Sequence, residues 1–152
     1  MTEYRITDFG ASPSAAPREN AAAIQRAVDT ANAAGGGRVT IPAGIFPSGT
    51  IRLKSHVELH LEQGAVLIGS GDMDDYNPLD EYPENGSSEI EEWFGKHLII
   101  ARDVEDVSIT GPGTVNGNGE AFFCEPVFLD QDGKGFLSED VVRVFLRNGL
   151  GF

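Results

Sequence analysis

A chain of 152 residues, 40% apolar and 23% charged, holds enough hydrophobic material for one packed domain, and its composition excludes global disorder. A formal net charge of −13 argues against a general nucleic-acid binder and against docking on anionic membranes. One cysteine, Cys124, excludes an internal disulfide, and no apolar run is long enough to span a bilayer.

Taken in order, the chain opens without a basic stretch followed by an apolar one. As written it reads as cytoplasmic; a removed leader or a mis-set N-terminus would make it secreted. Residues 6–10 have the pattern of a short strand. Residues 20–34 carry the clear helical signal: Ile24, Ala27, Val28 and Ala31 recur at i, i+3, i+4 and i+7, giving one apolar stripe. Asn20 suits the N-cap of that helix. Gly35, Gly36 and Gly37 end it, because glycine takes the left-handed C-terminal position without a Cβ clash.

Beyond Gly37 the texture changes to short alternating runs separated by Gly, Pro, Ser or Asn. Strands are expected at 38–41, 50–53, 57–61, 65–68, 97–101, 107–110 and 114–115. Residues 57–70 and 98–116 share one pattern: a strand-like run, a polar turn, a second run, a glycine. Short strands with regular breaks suit a solenoid, although a β-sandwich has similar strands and periodicity alone does not separate them. A solenoid also needs its open end covered, and a single amphipathic helix before the first coil answers that need. Val57, Leu59 and Leu61 are expected inside and Glu58 and His60 outside, with Val107 and Ile109 repeating the arrangement around Ser108.

The acidic excess is local. Nine Asp and Glu residues lie between positions 72 and 92 with no Lys or Arg among them. This insert, about residues 71–96, reads as a solvated loop with at most weak affinity for divalent cations. Within or beside it, Trp93 and Phe94 are candidates for stacking on a sugar ring, the alternative being that they pack the loop onto the body. Asp130-Gln131-Asp132-Gly133 has the opening of a calcium loop but lacks the acidic ligand at its twelfth position, where Val141 stands. Cys124 reads as a small buried apolar residue. No metal-ligand set and no cofactor is expected.

A family resemblance becomes specific over residues 7–70. Its carriers are Asp8-Phe9-Gly10-Ala11, Glu19 to Gln25, Ala33 to Val39, Ile41-Pro42-Ala43-Gly44, Gly49 to Ser55, Val57 to Leu61, and Gly64 to Ser70. A second block runs from Val104 to Gly119. This ordered series resembles the N-terminal region of glycoside hydrolase family 28, the polygalacturonases, within the pectin-lyase-like superfamily. The resemblance implies an all-β fold, a right-handed parallel β-helix with an N-terminal capping helix, incomplete at the C-terminal end, with residues 1–152 forming one domain. It also implies an inverting hydrolase of α-1,4-galacturonan in which one carboxylic acid protonates the leaving oxygen while a carboxylate activates water.

The family's Asn-Thr-Asp, Asp-Asp, Gly-His-Gly and Arg-Ile-Lys motifs are expected downstream of Gly119. Asn-Thr-Asp and Gly-His-Gly are missing from this chain. Asp74-Asp75 and Arg52-Leu53-Lys54 imitate the other two, but the first lies in the insert and the second in the N-terminal strand match. No catalytic residue is therefore assigned, and the isolated chain is expected to be inactive. The expected partner is a pectic polysaccharide or oligogalacturonide, with self-association through an uncapped last coil. The alternatives are a non-catalytic carbohydrate-binding or structural β-helix and a calcium-dependent pectate-lyase-like protein.

Overall fold

The structure, a computed structural model, describes residues 1–82 and 95–122. The chain divides into two units, Met1–Pro78 with Lys96–Gly117 and Leu79–Gly95 with Asn118–Phe152. In the second unit the described residues include one short 3-10 turn, Gly119–Phe122. The first unit carries the helix and the strands.

Its elements are β1 (Glu3–Arg5), α1 (Pro17–Ala33), β2 (Gly37–Ile41), β3 (Gly44–Ser48), β4 (Ile51–Arg52), β5 (Val57–Leu61), β6 (Ala65–Gly69), β7 (Ile99–Ile100), β8 (Ser108–Thr110) and β9 (Thr114–Asn116). The strands form three sheets, ordered β1-β2-β5-β8, β3-β6-β9 and β4-β7. Every pairing is parallel. The chain visits the three sheets in turn and then repeats the circuit, which is the path of a parallel β-helix. Gly37 lies opposite Val57 and Gly44 opposite Ala65, so one circuit takes about 20 residues. Ile51 lies opposite Ile99, so the second circuit is longer, and the excess sits between β6 and β7.

Alternation decides what faces inward. Val57, Leu59 and Leu61 are at most 2% exposed, while Glu58 and His60 point outward. Val39, Ile41, Phe46, Ile51, Ala65, Leu67 and Ile100 fill the same interior. Burial of each such Val, Leu or Ile contributes about 1.5–3 kcal/mol. Ile109, opposite Leu59, continues the inward row and is half exposed.

The helix plugs the front of this tube. Ile24, Ala27, Val28 and Ala31 are fully buried in the same core as the strands. Its start differs from the expectation: the helix begins at Pro17, and Asn20 lies inside it. Pro17 has a φ already suited to the first helical turn and gives up no helical hydrogen bond there. The Glu19 carboxylate accepts from the Ala16 N–H at 3.2 Å, half of a capping box. The C-terminus follows the glycine expectation. Gly36 N–H reaches Ala31 O at 2.9 Å and Gly35 N–H reaches Asn32 O at 3.0 Å, a Schellman closure with Gly35 at φ 87°.

Front-edge strands would leave backbone groups unpaired. β1 covers β2. For the other two sheets the helix supplies side-chain amides. Asn20 Nδ2 donates to Pro47 O of β3 at 2.9 Å. Gln25 accepts from Arg52 N–H of β4 at 2.8 Å and donates to Arg52 O at 3.0 Å. Asn32 Nδ2 donates to Ser55 O at 3.0 Å.

Two further differences from the sequence reading have plain causes. Residues 6–10 are not a strand. Ile6–Phe9 form a 3-10 turn closed by Gly10 at φ 96°, with Gly10 N–H on Thr7 O and Ala11 N–H on Ile6 O, both at 3.1 Å. β1 and β3 were not expected, β3 because Pro47 interrupts its pattern. In a strand the N–H and C=O of one residue point the same way. Pro47 O points to Asn20, so the missing N–H falls on the front edge, where no strand needs it. The internal repeat is also out of phase with the reading of residues 98–116. β7 closes the second circuit, and the true counterpart of β5-β6 is β8-β9.

Candidate functional site

The outer face of β1-β2-β5-β8 brings together polar side chains from three circuits. Arg38, Glu58 and Ser108 stand in one register row, and Arg5, Thr40, His60 and Thr110 in another. Arg38 Nε donates to Glu58 Oε2 at 2.9 Å. The Thr110 hydroxyl donates to Glu58 Oε1 at 2.5 Å. His60 Nδ1 lies 2.8 Å from Thr110 Oγ1. Thr110 has one hydroxyl proton and gives it to Glu58, so Nδ1 carries the proton of this contact. In the second row, the buried Thr40 hydroxyl has no hydrogen-bond partner among the described residues.

The hydrogen bonds from Arg38 and Thr110 hold the Glu58 carboxyl below its ordinary range, against a smaller opposing effect of burial. Glu58 is therefore ionised at neutral pH and has no proton to give. Asp75 is also lowered, chiefly by the Ser70 hydroxyl at 2.5 Å and then by Arg18 at 2.7 Å, with burial opposing. For Asp29 burial pushes upward, but hydrogen bonds from Lys54 and Gln25 outweigh it and the carboxyl falls. An inverting hydrolase needs one carboxyl that keeps its proton and another that takes one from water. These three have the opposite tuning of a general acid, and each is engaged in tying elements together.

The two motif imitations are accounted for in the same way. Asp75 is fixed between Ser70 and Arg18, and Arg18 Nη2 also donates to Asp74 O at 2.9 Å. The Asp74-Asp75 pair thus anchors the insert to α1. In Arg52-Leu53-Lys54, the Arg52 backbone pairs with Gln25, Leu53 is buried, and Lys54 Nζ lies 2.8 Å from Asp29. Trp93, Phe94, Cys124 and residues 130–133 lie outside the described residues. The Arg38–Glu58–Thr110–His60 network, which joins the two rows, was not legible in the sequence. Glu58 and Thr110 are 52 residues apart, a separation set by the insert between them. Among the described residues, no group of three His, Cys, Asp or Glu side chains is placed to hold a metal ion, and no helix is long and apolar enough to cross a membrane.

No family model matches the chain. It is 32% identical over 118 residues to an exo-poly-α-D-galacturonosidase of Dickeya chrysanthemi, a match covering 75% of this chain and 19% of that protein. The family 28 exopolygalacturonase of Yersinia enterocolitica superposes with a TM-score of 0.62 at 32% identity, over 88% of this chain and 24% of that one. The exopolygalacturonase of Thermotoga maritima superposes with a TM-score of 0.66 at 29% identity, over 87% and 28% respectively. The chain thus spans less than a third of the length of each of these proteins. In sequence and in the parallel β-helix it builds, the chain is a relative of the polygalacturonases of glycoside hydrolase family 28.

Proposed function

We propose that this chain is scaffold for the hydrolysis of α-1,4-linked galacturonan or a related pectic chain, and that it does not itself carry the reaction. The carrying observation is the joint match in sequence and coil geometry to exopolygalacturonases over most of this chain. The tuning of Glu58, Asp29 and Asp75 supports the second half of the reading. All three are lowered in pKa and bound to neighbours. The acid and base of an inverting mechanism would then come from coils not represented here. The substrate would be a polyanionic pectic polysaccharide or oligogalacturonide. The acid-rich insert would repel such a chain and so would rim its path rather than line it. Trp93 and Phe94 are the proposed sugar-stacking pair.

The test is an assay of the 152-residue chain on polygalacturonate with a chelator present. No reducing-sugar release is expected, and turnover above background would end the scaffold reading. Binding is checked separately by titrating oligogalacturonide against the native chain and Trp93→Ala. Weaker binding by the variant supports the stacking role, and equal binding removes it.

A further inference from the structure

The segment that lengthens the second circuit leaves and returns at one side chain. Asn77 is 2% exposed. Its backbone N–H donates to Thr50 Oγ1 at 2.8 Å. The same hydroxyl donates to His97 O at 2.7 Å, and the Asn77 Oδ1 accepts from His97 N–H at 2.9 Å. Lys96 Nζ donates to Asn77 O at 2.8 Å. The outgoing chain at Asn77 and the returning chain at Lys96 and His97 are thus bonded to each other, and both are bonded to Thr50 of the preceding circuit. From His97 the chain runs directly into the β4–β7 ladder, where Ile51 N–H meets Leu98 O at 2.8 Å.

The outgoing side is docked before Asn77 is reached. A Cβ on Gly49 would lie 2.0 Å from Asp75 O, so the 3-10 turn Met73–Asp75 rests directly on the bare backbone of the preceding circuit. Ser70 and Arg18 hold Asp75 from two further directions. The boundary between the two compact units falls just outside this base, after Pro78 and before Lys96.

We propose that Asn77 is a clasp that makes the coil stack independent of the segment between Pro78 and Lys96. With both ends fixed at one point, the returning strand keeps its register whatever the intervening length. The stack is then a frame on which that segment can be exchanged or removed, a property separate from the proposed function and untouched by its failure. Residues 70–77 belong to the frame, since they are packed against Gly49 and α1.

The experiment is amide hydrogen exchange on the whole 152-residue chain, comparing the His97 amide with those of Leu59 and Leu67. In Asn77→Ala, His97 exchange should accelerate at least about tenfold while Leu59 and Leu67 stay within about twofold, the pattern of local opening. A second variant deletes residues 79–95 and joins Pro78 to Lys96 through two glycines. It should keep the protection of Leu59 and Leu67. Unchanged His97 exchange in the first variant, a matching loss of protection at Leu59 and Leu67, or failure of the deletion variant to fold would each overturn the proposal.

Discussion

Gln25 and Arg52 exchange two hydrogen bonds as neighbouring strand residues do, although one partner is a helix side chain. The Gln25 Oε1 accepts from Arg52 N–H at 2.8 Å and its Nε2 donates to Arg52 O at 3.0 Å. A primary amide carries the same donor and acceptor as a peptide unit, so it can stand in for the strand that β4 lacks on its front side. Gln25→Leu keeps the side-chain size and removes both bonds, together with the one Gln25 Nε2 gives to Asp29 at 3.0 Å. Each net bond contributes about 0.5–1.5 kcal/mol, so the loss of three should cost the variant about 1.5–4.5 kcal/mol. Urea titration checks this, with a lowered midpoint and an unchanged slope expected. An unchanged midpoint would mean that water replaces the amide at no cost.

The plug is tested at Ile24, which is fully buried among α1 and the strands. Ile24→Ala should cost about 2–5 kcal/mol, through lost apolar burial and the cavity left behind. Thermal and urea unfolding measure it. A loss below about 1 kcal/mol would show that the helix does not seal the core.

One corner of the helix repeats a left-handed residue in successive circuits. Gly36 has φ 122°, His56 φ 63° and Asp106 φ 53°, and the register sets Gly37 opposite Val57 and Glu58 opposite Ser108, which aligns the three. A Cβ on Gly36 would lie 2.7 Å from His56 O, so Gly36→Ala should destabilise by more than about 1 kcal/mol. His56 tolerates a conformation that a β-branched residue does not. His56→Val should therefore be less stable than His56→Gly by about 1–3 kcal/mol. Equal midpoints in denaturant for the two variants would remove the argument from backbone strain.

Acid should weaken the stack through Glu58. Its folded pKa lies below the ordinary value of 4.5, so the unfolded chain binds the proton more readily. The stabilisation is present above pH 4.5 and is lost as pH falls through the lower folded value. Asp75 acts in the same direction from its ordinary value of 3.8. Glu58→Gln should flatten the fall in unfolding free energy between about pH 5 and pH 3. Parallel pH profiles for the two proteins would show that Glu58 does not contribute to the slope.

The parts legible in the sequence were those governed by local period. The helix stripe at Ile24, Ala27, Val28 and Ala31 and the alternation at Val57, Leu59 and Leu61 are set by geometry within a few residues, and both are seen. What escaped depends on distant partners. Pro47 reads as a strand breaker until Asn20 is seen at its carbonyl. Asn20 reads as a cap until its amide is found bonded to Ser12 and Pro47. The Glu58–Thr110 bond is hidden by the insert, which displaces the third circuit along the sequence without moving it in space.

The closed front edge also bears on biosynthesis. Helix and β1 precede the first full circuit in the chain, and from β5 onward each strand pairs with one already made. A polypeptide leaving the ribosome from its N-terminal end therefore has a docking template ready before the next turn emerges. Each circuit is received by its predecessor, without waiting for a partner still to be translated.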